Sequence, residues 1–281
     1  MKKTIVTTAL MFAAASLIFL SCKKKDDSTP DYTITSEVNG IQEDMDDVHK
    51  VSQDAMSSNG QLRTDGTAIS SCTNVTFDGT NKKITLDFGT GCMGNDGRIR
   101  QGKILISYTD KYTNAGAVIT IKTYNYFVDG KKINGRRVVT NNGLNGLGHL
   151  VFTVVDSDTT TGNGYATITQ TDGGVTTWKS TRTREWSAGE STPLNIYDDE
   201  LIINGSGEGV SSKGVSYTLT GTDIKLKAAC WASFIFAPVS GVLSLTTSDG
   251  TRSLDYGDGT CDKKAVYTHT NGKTYNITLN R

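Results

Sequence analysis

Residues 175–186 read Val-Thr-Thr-Trp-Lys-Ser-Thr-Arg-Thr-Arg-Glu-Trp. Neighbouring side chains of a β-strand point to opposite faces of the sheet, so this stretch predicts a strand with two different faces. Short alternating segments of the same kind recur from Gly60 to the end of the chain, which favours an all-β fold. The side chains expected together on one face of this strand are Trp178, Ser180, Arg182, Arg184 and Trp186.

Turn-forming pairs separate many of the alternating segments. Asp-Gly and Asn-Gly tolerate the positive φ that tight hairpin turns require, so they favour an antiparallel meander with short connections. Whether the strands form a sandwich, an elongated curved sheet or an open barrel stays open, because sheet closure leaves no mark in a single sequence. The pairs are Asp78-Gly79, Asp129-Gly130, Asp172-Gly173, Asp249-Gly250 and Asn271-Gly272.

One short amphipathic helix is expected at residues 40–57, at the start of a single domain over 36–281. Asn39 and Gln42 have the spacing of a capping box, and Ser58-Asn59-Gly60 is typical of a helix end. Apolar residues recur at three- or four-residue steps: Ile41, Met45, Val48, Val51 and Ala55. The other face carries Glu43, Asp44, Asp46 and Asp47. We expect this acidic face to be solvated, and a cation site is the less favoured alternative.

The first 21 residues have the order of a secretory signal peptide, with a basic start, an apolar run over 5–20 and the small residue Ser21. A bilayer span needs roughly 20 predominantly apolar residues, so this shorter run predicts a leader rather than a span. Phe19-Leu20-Ser21-Cys22 resembles the lipobox of bacterial lipoproteins, in the looser form found in Bacteroidota. Lys23-Lys24-Lys25-Asp26-Asp27 is similar to the tag that sends lipoproteins of that phylum to the cell surface.

These resemblances imply that Cys22 is acylated, with palmitate among its chains. The segment that follows is polar and contains Pro30, which predicts a flexible tether over residues 22–35. Two or more acyl chains anchor a protein stably, so a multiply acylated cysteine replaces a spanning helix. The expected location is the outer membrane, with the mature body at the cell surface. The alternative is a plain cleaved signal that leaves Cys22 free.

Four further cysteines predict two disulfide bridges, since their number is even and the leader indicates export. Residues 84–92 (Ile-Thr-Leu-Asp-Phe-Gly-Thr-Gly-Cys) and 253–261 (Ser-Leu-Asp-Tyr-Gly-Asp-Gly-Thr-Cys) share Leu-Asp-aromatic-Gly-x-Gly before a cysteine. Each copy follows a turn with another cysteine before it, which predicts two bridged hairpin units near 72–92 and 230–261. A cysteine metal site is a weaker alternative, because no Cys-x-x-Cys pair occurs. Of the three pairings allowed, the repeat favours Cys72–Cys92 and Cys230–Cys261.

Three aspartates of the second copy, Asp255, Asp258 and Asp262, are weak candidates for calcium ligands, since calcium prefers carboxylate oxygens. Their spacing matches no known calcium loop. The favoured interpretation is that the aspartates bond backbone amides of their own turns. No cofactor is predicted.

The repeated unit, the helix containing Asp46-Asp47-Val48, and the stretch from Gly97-Arg98 to Gly102-Lys103 together resemble an uncharacterised group of Bacteroidota lipoproteins. The resemblance covers most of the mature chain. That group has no known activity, so the resemblance implies none for this protein.

Charge and motifs favour a binding protein over an enzyme. The chain has 29 basic and 29 acidic residues, and loss of Lys2 and Lys3 with the leader leaves a net charge of about −2, so nucleic acid is not an expected partner. The sequence contains no nucleophile elbow, zinc-binding helix motif or phosphate loop, and its three histidines are far apart. We therefore expect a non-enzymatic binding or structural scaffold, held to the membrane by lipid, whose partner is a glycan or an envelope component.

Two alternatives remain open. The protein could be a carbohydrate-binding or carbohydrate-processing accessory protein, because indoles stack on sugars and guanidinium groups pair with acidic substituents. An internal stack of arginine on tryptophan is favoured over such a binding surface. The other alternative is a periplasm-facing lipid or envelope carrier with an apolar concave face. The candidate ligand-binding residues are Trp178, Arg182, Arg184 and Trp186.

Overall fold

The computed structural model describes residues 33–57, 69–192, 195–233 and 235–279. Within these residues the chain forms one α-helix and sixteen strands, all paired antiparallel in a single sheet. The predicted fold class, antiparallel β with one N-terminal helix, is confirmed. The leader, Cys22 and the residues up to Tyr32 lie outside the described residues, as does the predicted helix-stop segment from Ser58 to Gly60.

The helix α1 spans Thr33–Ser57, and two short 3-10 helices span Ile196–Asp198 and Ala228–Ser233. The strands are β1 (Asn74–Asp78), β2 (Lys83–Asp87), β3 (Cys92–Met93), β4 (Ile99–Tyr108), β5 (Val118–Val128), β6 (Lys131–Asn134), β7 (Arg136–Leu144), β8 (Leu150–Ser157), β9 (Ala166–Thr169), β10 (Val175–Ala188), β11 (Glu200–Val210), β12 (Ser216–Lys227), β13 (Ser240–Thr247), β14 (Gly250–Asp258), β15 (Lys264–Thr268) and β16 (Thr274–Thr278).

The sheet runs from β1 at one edge to β16 at the other, and the short β3 pairs with β4. Its middle is built from four strands between β5 and β10. The first part of β5 pairs with β7 and its last part with β6, while β10 pairs with β9 and then with β8. Because β6 pairs with β9 and β7 with β8, the described strands form one continuous sheet. They do not form two separately hydrogen-bonded sheets.

Helix α1 lies against the inner face of this sheet and forms the centre of the core. Its apolar residues Val38, Ile41, Met45, Val48 and Val51 are fully buried. Burial of apolar side chains is the main favourable contribution to folding, so this contact holds helix and sheet together. The strands contribute inward-facing residues to the same cluster, among them Leu86, Ile104, Ile121, Val139, Phe152, Trp178, Leu219, Leu243, Leu254 and Tyr267.

The helix begins at Thr33, earlier than residue 40 as predicted, so it takes up the last residues assigned to the tether. Asn39 does not cap it, because its amide donates to Glu43 at 2.8 Å and its oxygen accepts from Tyr256 at 2.8 Å. The extra turns are stabilised by tertiary contacts: the Glu37 carboxylate accepts hydrogen bonds from Thr176 and Ser212. Sequence spacing alone cannot show such contacts.

The expectation of a solvated acidic helix face is wrong. Among helix residues 33–56, only Thr33 and Ser36 are exposed, and the side chains of Asp44 and Asp47 are almost fully buried. The curved sheet surrounds the helix and supplies cations to its carboxylates, as described below. Within the described residues, no helix is both long enough and apolar enough to cross a bilayer.

The predicted disulfides are confirmed as Cys72–Cys92 and Cys230–Cys261. Each bridge encloses one antiparallel hairpin, β1–β2 in the first case and β13–β14 in the second. The two copies of the repeated motif therefore occupy equivalent places, at the ends of β2 and β14, close to opposite edges of the sheet.

The aspartates of the repeat hold turns. Asp87 and Asp255 each accept a hydrogen bond from the backbone amide two residues later, at 3.0 and 2.9 Å. Asp258 and Asp262 accept amide hydrogen bonds in the same way. The described residues contain no group of three or more His, Cys, Asp or Glu side chains placed to hold a metal ion, and the weak calcium assignment gains no support.

Candidate functional site

The strand β10 places its predicted face inward rather than toward a ligand. Trp178 is 0% exposed, and Arg182 and Arg184 are each 6% exposed, because α1 covers this face. Trp186 is half-buried and donates its indole N–H to Asp199 at 3.1 Å. The alternation in the sequence is therefore correct, and the burial agrees with the favoured internal arrangement; it contradicts the less favoured alternative of an exposed glycan-binding surface at these residues.

The buried carboxylate of Asp156 on β8 is the centre of this inner face. It lies directly opposite Arg137 on β7 and Ser180 on β10 in the strand register. Arg137 donates two hydrogen bonds to it at 2.7 and 3.0 Å, and Ser180, Trp178 and Arg182 donate at 2.8, 3.1 and 3.2 Å. Burial opposes ionisation, but Arg137 and the other donors outweigh it and lower the pKa of Asp156 to about 2.

Asp46 brings a second carboxylate from α1 to the same arginines. It accepts hydrogen bonds from Arg137 at 2.9 Å and Arg182 at 3.2 Å, and Arg184 Nη2 lies 3.8 Å away. Burial opposes its charge, yet the three guanidinium groups hold its pKa well below the usual range. Helix and sheet are thus joined here by ion pairs as well as by apolar packing.

A second cluster joins the helix to β4. Arg100, fully buried, donates to Asp47 at 2.6 Å and to Asp96 at 2.7 Å. Arg98 donates to Asp44 at 2.8 Å, and the Lys131 ammonium group also pairs with Asp44. The arginines of this cluster were not predicted as partners of the helix.

His49 lies beside the first cluster and is 1% exposed. Burial, and then the nearby charge of Arg184, lower its pKa well below the usual value, so the imidazole is neutral. Within the described residues neither ring nitrogen has a hydrogen-bond partner. The ring packs near Tyr112, with the two centroids 6.5 Å apart.

The chemistry of these inner clusters is structural. A carboxylate with a pKa of about 2 that accepts several hydrogen bonds binds a proton too weakly to act as a general base near neutral pH. Removing one partner of a buried ion pair leaves an uncompensated charge, so the clusters fix the helix in one position.

A groove of about 500 Å³ opens on the outer face of the sheet, away from α1. Its position follows from alternation: Leu105 and Tyr124 are 39% and 59% exposed, whereas their chain neighbours Ile104 and Thr123 are buried. The volume falls within the range of about 300–1,000 Å³ that is typical of small-molecule sites. The lining residues are Leu105, Lys122, Thr123, Tyr124, Asn125, Lys132, Ile133, Asn134, Thr159, Thr167 and Thr169.

An irregular strand pairing shapes the floor of the groove. The register of β4 against β5 shifts between Gln101 and Lys103. Gly102 at φ +75° faces Asn125 at φ +44°, and a Cβ on Gly102 would lie 1.9 Å from the Asn125 carbonyl oxygen. Non-glycine residues at positive φ are uncommon and occur often at functional sites. This bulge lies where β5 changes its partner from β7 to β6.

The groove combines an exposed aromatic ring with amides, hydroxyl groups and two lysines. Asn134 and Thr159 form a hydrogen-bonded pair at its margin, with the threonine hydroxyl donating at 3.2 Å. No carboxylate is among its lining residues. This groove was not predicted from the sequence, and its sequence signals are the glycine and the asparagine at the bulge.

Comparison with protein-family models gives no match, and neither a curated protein nor a solved structure matches the chain. The chemistry of the groove therefore has to be inferred from its own residues.

Proposed function

We propose that the protein is an exported outer-membrane lipoprotein, acylated at Cys22 and displayed at the cell surface, that serves as a non-enzymatic binding scaffold. The lipobox-like motif and the lysine-acidic tag support the anchor and the location. The two disulfides support an oxidising compartment, since such bridges are rare in the cytosol.

The outer-face groove is the observation that carries the binding role. It lies in the middle of a sheet that is braced from inside by α1 and the buried ion pairs. A rigid support keeps binding groups in place and lowers the entropy lost when a ligand binds. A carbohydrate-binding accessory protein is the favoured alternative within this proposal, because the groove carries polar groups of the kind that hydrogen-bond sugars.

The lipid or envelope carrier is less well supported. Such a carrier needs an open apolar face, whereas α1 covers the inner face of the described sheet and buries its apolar residues.

Nucleic acid is not a supported partner either. The mature chain carries a net charge of about −2 and therefore has no overall positive charge that would attract it.

The anchor and the location are tested by expressing the wild type and the Cys22→Ser variant in a bacterium that acylates lipoproteins and exports them to its outer membrane. We expect acyl chains on Cys22 by mass spectrometry, outer-membrane fractionation, and digestion of the body by protease added to intact cells. The variant should be released from the membrane. Retention of Cys22→Ser in the membrane contradicts the lipid anchor. Full protection of the wild type from the protease contradicts the surface location.

The scaffold role has a separate test. Purified protein is incubated with glycan and peptide substrates and the products are analysed. If the protein converts one of these substrates and a single carboxylate-to-amide substitution abolishes the conversion, the protein is an enzyme. That result would overturn the proposed scaffold role.

A further inference from the structure

The outer groove has an excess of positive charge. Lys122 and Lys132 line it, and neither forms an ion pair with any described residue. Lys103, on the neighbouring strand, is neutralised by Asp87 at 2.8 Å. Lys132 Nζ lies 5.9 Å from the centroid of the Phe127 ring, but an anionic ligand would meet no competing carboxylate on either lysine among the described residues.

Arg136 adds a third cation at the margin. It lies directly opposite Lys122 in the pairing of β5 with β7. Its guanidinium reaches the loop that contains Thr159, since a Cβ on Gly162 would lie 2.1 Å from Arg136 Nη1. Its Nε is buried without a hydrogen-bond partner among the described residues.

The carboxylate of Asp158, at the start of this loop, already accepts several hydrogen bonds. Asp158 accepts backbone hydrogen bonds from Thr160 at 2.7 Å and Gly162 at 3.2 Å, and further ones from the amides of Thr161 and Gly164. Its carboxylate is therefore held by its own loop, and within the described residues it forms no ion pair with Lys122 or Lys132.

Tyr124 supplies a flat apolar surface next to these cations. More than half of its side chain is exposed, although it stands in the middle of a long strand. A tyrosine ring presents an apolar face and a polar hydroxyl group, which suits the apolar face and the hydroxyl groups of a pyranose. Hydroxyl and amide groups of Asn125, Asn134, Thr167 and Thr169 surround it and can donate and accept hydrogen bonds.

The backbone around the groove argues against an extended peptide as the ligand. Peptides commonly bind a sheet by adding a strand to a free edge. Here β5 is paired on both sides, and the edges of the described sheet are β1 and β16. Recognition in the groove must therefore use side chains.

We propose that this groove binds an acidic saccharide, a sugar chain with carboxylate or sulfate groups. A sugar ring stacks on Tyr124, while Lys122, Lys132 and Arg136 bind the acidic substituents. The inference rests on the proposed binding role and names the ligand class of its groove.

The test uses the mature chain carrying Cys22→Ser, so that the protein is free of lipid. The probes are hexagalacturonate for carboxylates, a heparin hexasaccharide for sulfates, neutral maltohexaose, and polyglutamate as an acidic peptide. Binding is measured by calorimetry at low and at moderate salt. We expect binding of at least one acidic saccharide, weakening with salt because salt screens charge, and no binding of maltohexaose or polyglutamate.

Matched variants locate the site. Tyr124→Ala and the double variant Lys122→Gln/Lys132→Gln should each raise the Kd by at least about tenfold. Tyr197→Ala and Lys213→Gln change exposed residues of the same types outside the groove and should leave the Kd within about twofold. Unchanged thermal unfolding midpoints show that the variants are folded.

Several results overturn the inference. They are failure of the wild type to bind both acidic saccharides, equal binding of maltohexaose or polyglutamate, and wild-type affinity in the folded groove variants. None of these results bears on acylation of Cys22 or on protease accessibility, so the proposed membrane-anchored location is tested independently.

Discussion

Substitution of Asp156 by asparagine tests whether the inner ion pairs hold the fold together. The change keeps the shape of the side chain and removes the charge that faces Arg137 and Arg182. Asp46 then remains as the carboxylate paired with both arginines. We expect a large loss of stability with little change in the native secondary structure.

The magnitude can be bounded in two ways. The pKa of Asp156 falls from 3.8 to about 2, which corresponds to a preference of about 2 kcal/mol for the ionised form in the folded state. Removing one partner of a buried pair typically costs about 3–5 kcal/mol when the remaining charge has no other partner; because Asp46 still pairs with both arginines, this range is the upper bound. The first value includes the desolvation of Asp156 itself, so it is the lower bound. The expected loss therefore lies between about 2 and 5 kcal/mol.

Urea unfolding of the lipid-free chain, followed by tryptophan fluorescence with the disulfides intact, measures this loss. The control is Asp172→Asn, the same chemical change at an exposed turn, where the carboxylate accepts one amide hydrogen bond from Gly174 at 3.0 Å. The control should cost less than about 1 kcal/mol. A similar small cost for Asp156→Asn would refute the view that this cluster is a dry ion-pair network. Combination with Arg137→Met should recover part of the loss, since it removes one of the three cations that then share the single carboxylate of Asp46.

Three further predictions concern the bridges, the pH dependence and the groove floor. Replacing both cysteines of the Cys72–Cys92 bridge by serine should lower the free energy of unfolding by about 2–4 kcal/mol in urea, and an unchanged value would contradict a structural role. Stability should fall as the pH drops below 6.5, because burial and nearby arginines keep the pKa of His49 lower in the folded than in the unfolded state. Urea titrations between pH 7.5 and 5 test this, and His49→Phe should flatten the dependence. Gly102→Ala should cost at least about 2 kcal/mol in the same assay, since its Cβ would overlap a backbone carbonyl, whereas Gly91→Ala has room and should cost less than about 1 kcal/mol.

The sequence was informative wherever a feature is local. Alternation in residues 175–186 correctly placed five side chains on one face, because the period of a strand is fixed by its backbone geometry. The repeated Leu-Asp-aromatic-Gly motif selected the correct disulfide pairing, since each bridge closes its own hairpin. Neither result depends on how distant strands meet.

The failure concerns the acidic side chains of α1, which were expected in solvent because charged side chains are mostly exposed in proteins. The burial of the β10 face, in contrast, agrees with the favoured interpretation that these side chains lie inside the protein. Arg100, Arg137 and Arg182 each lie an even number of residues from a buried apolar residue of the same strand, so they share its face of the sheet. This spacing was the sequence signal that they face the core. Fewer sequence features indicate the groove, because its position depends on which strands flank β5. That pairing is set by tertiary structure.

The buried carboxylates of the helix and the buried arginines of the sheet are explained together. Buried arginines on a sheet face are unfavourable alone, and so is a helix with six acidic residues alone inside a sheet. Each provides the counter-charges that the other needs, so the acidic helix and the arginine-bearing strands are expected to form one cooperative unit. In the proposed lipoprotein, the helix that follows Cys22 in the sequence is the element whose carboxylates pair with the arginines of the sheet. Because the helix occupies the inner face of the sheet, the binding role is left to the outer face, where Lys122 and Lys132, which form no ion pair with a described residue, line the same groove as Tyr124.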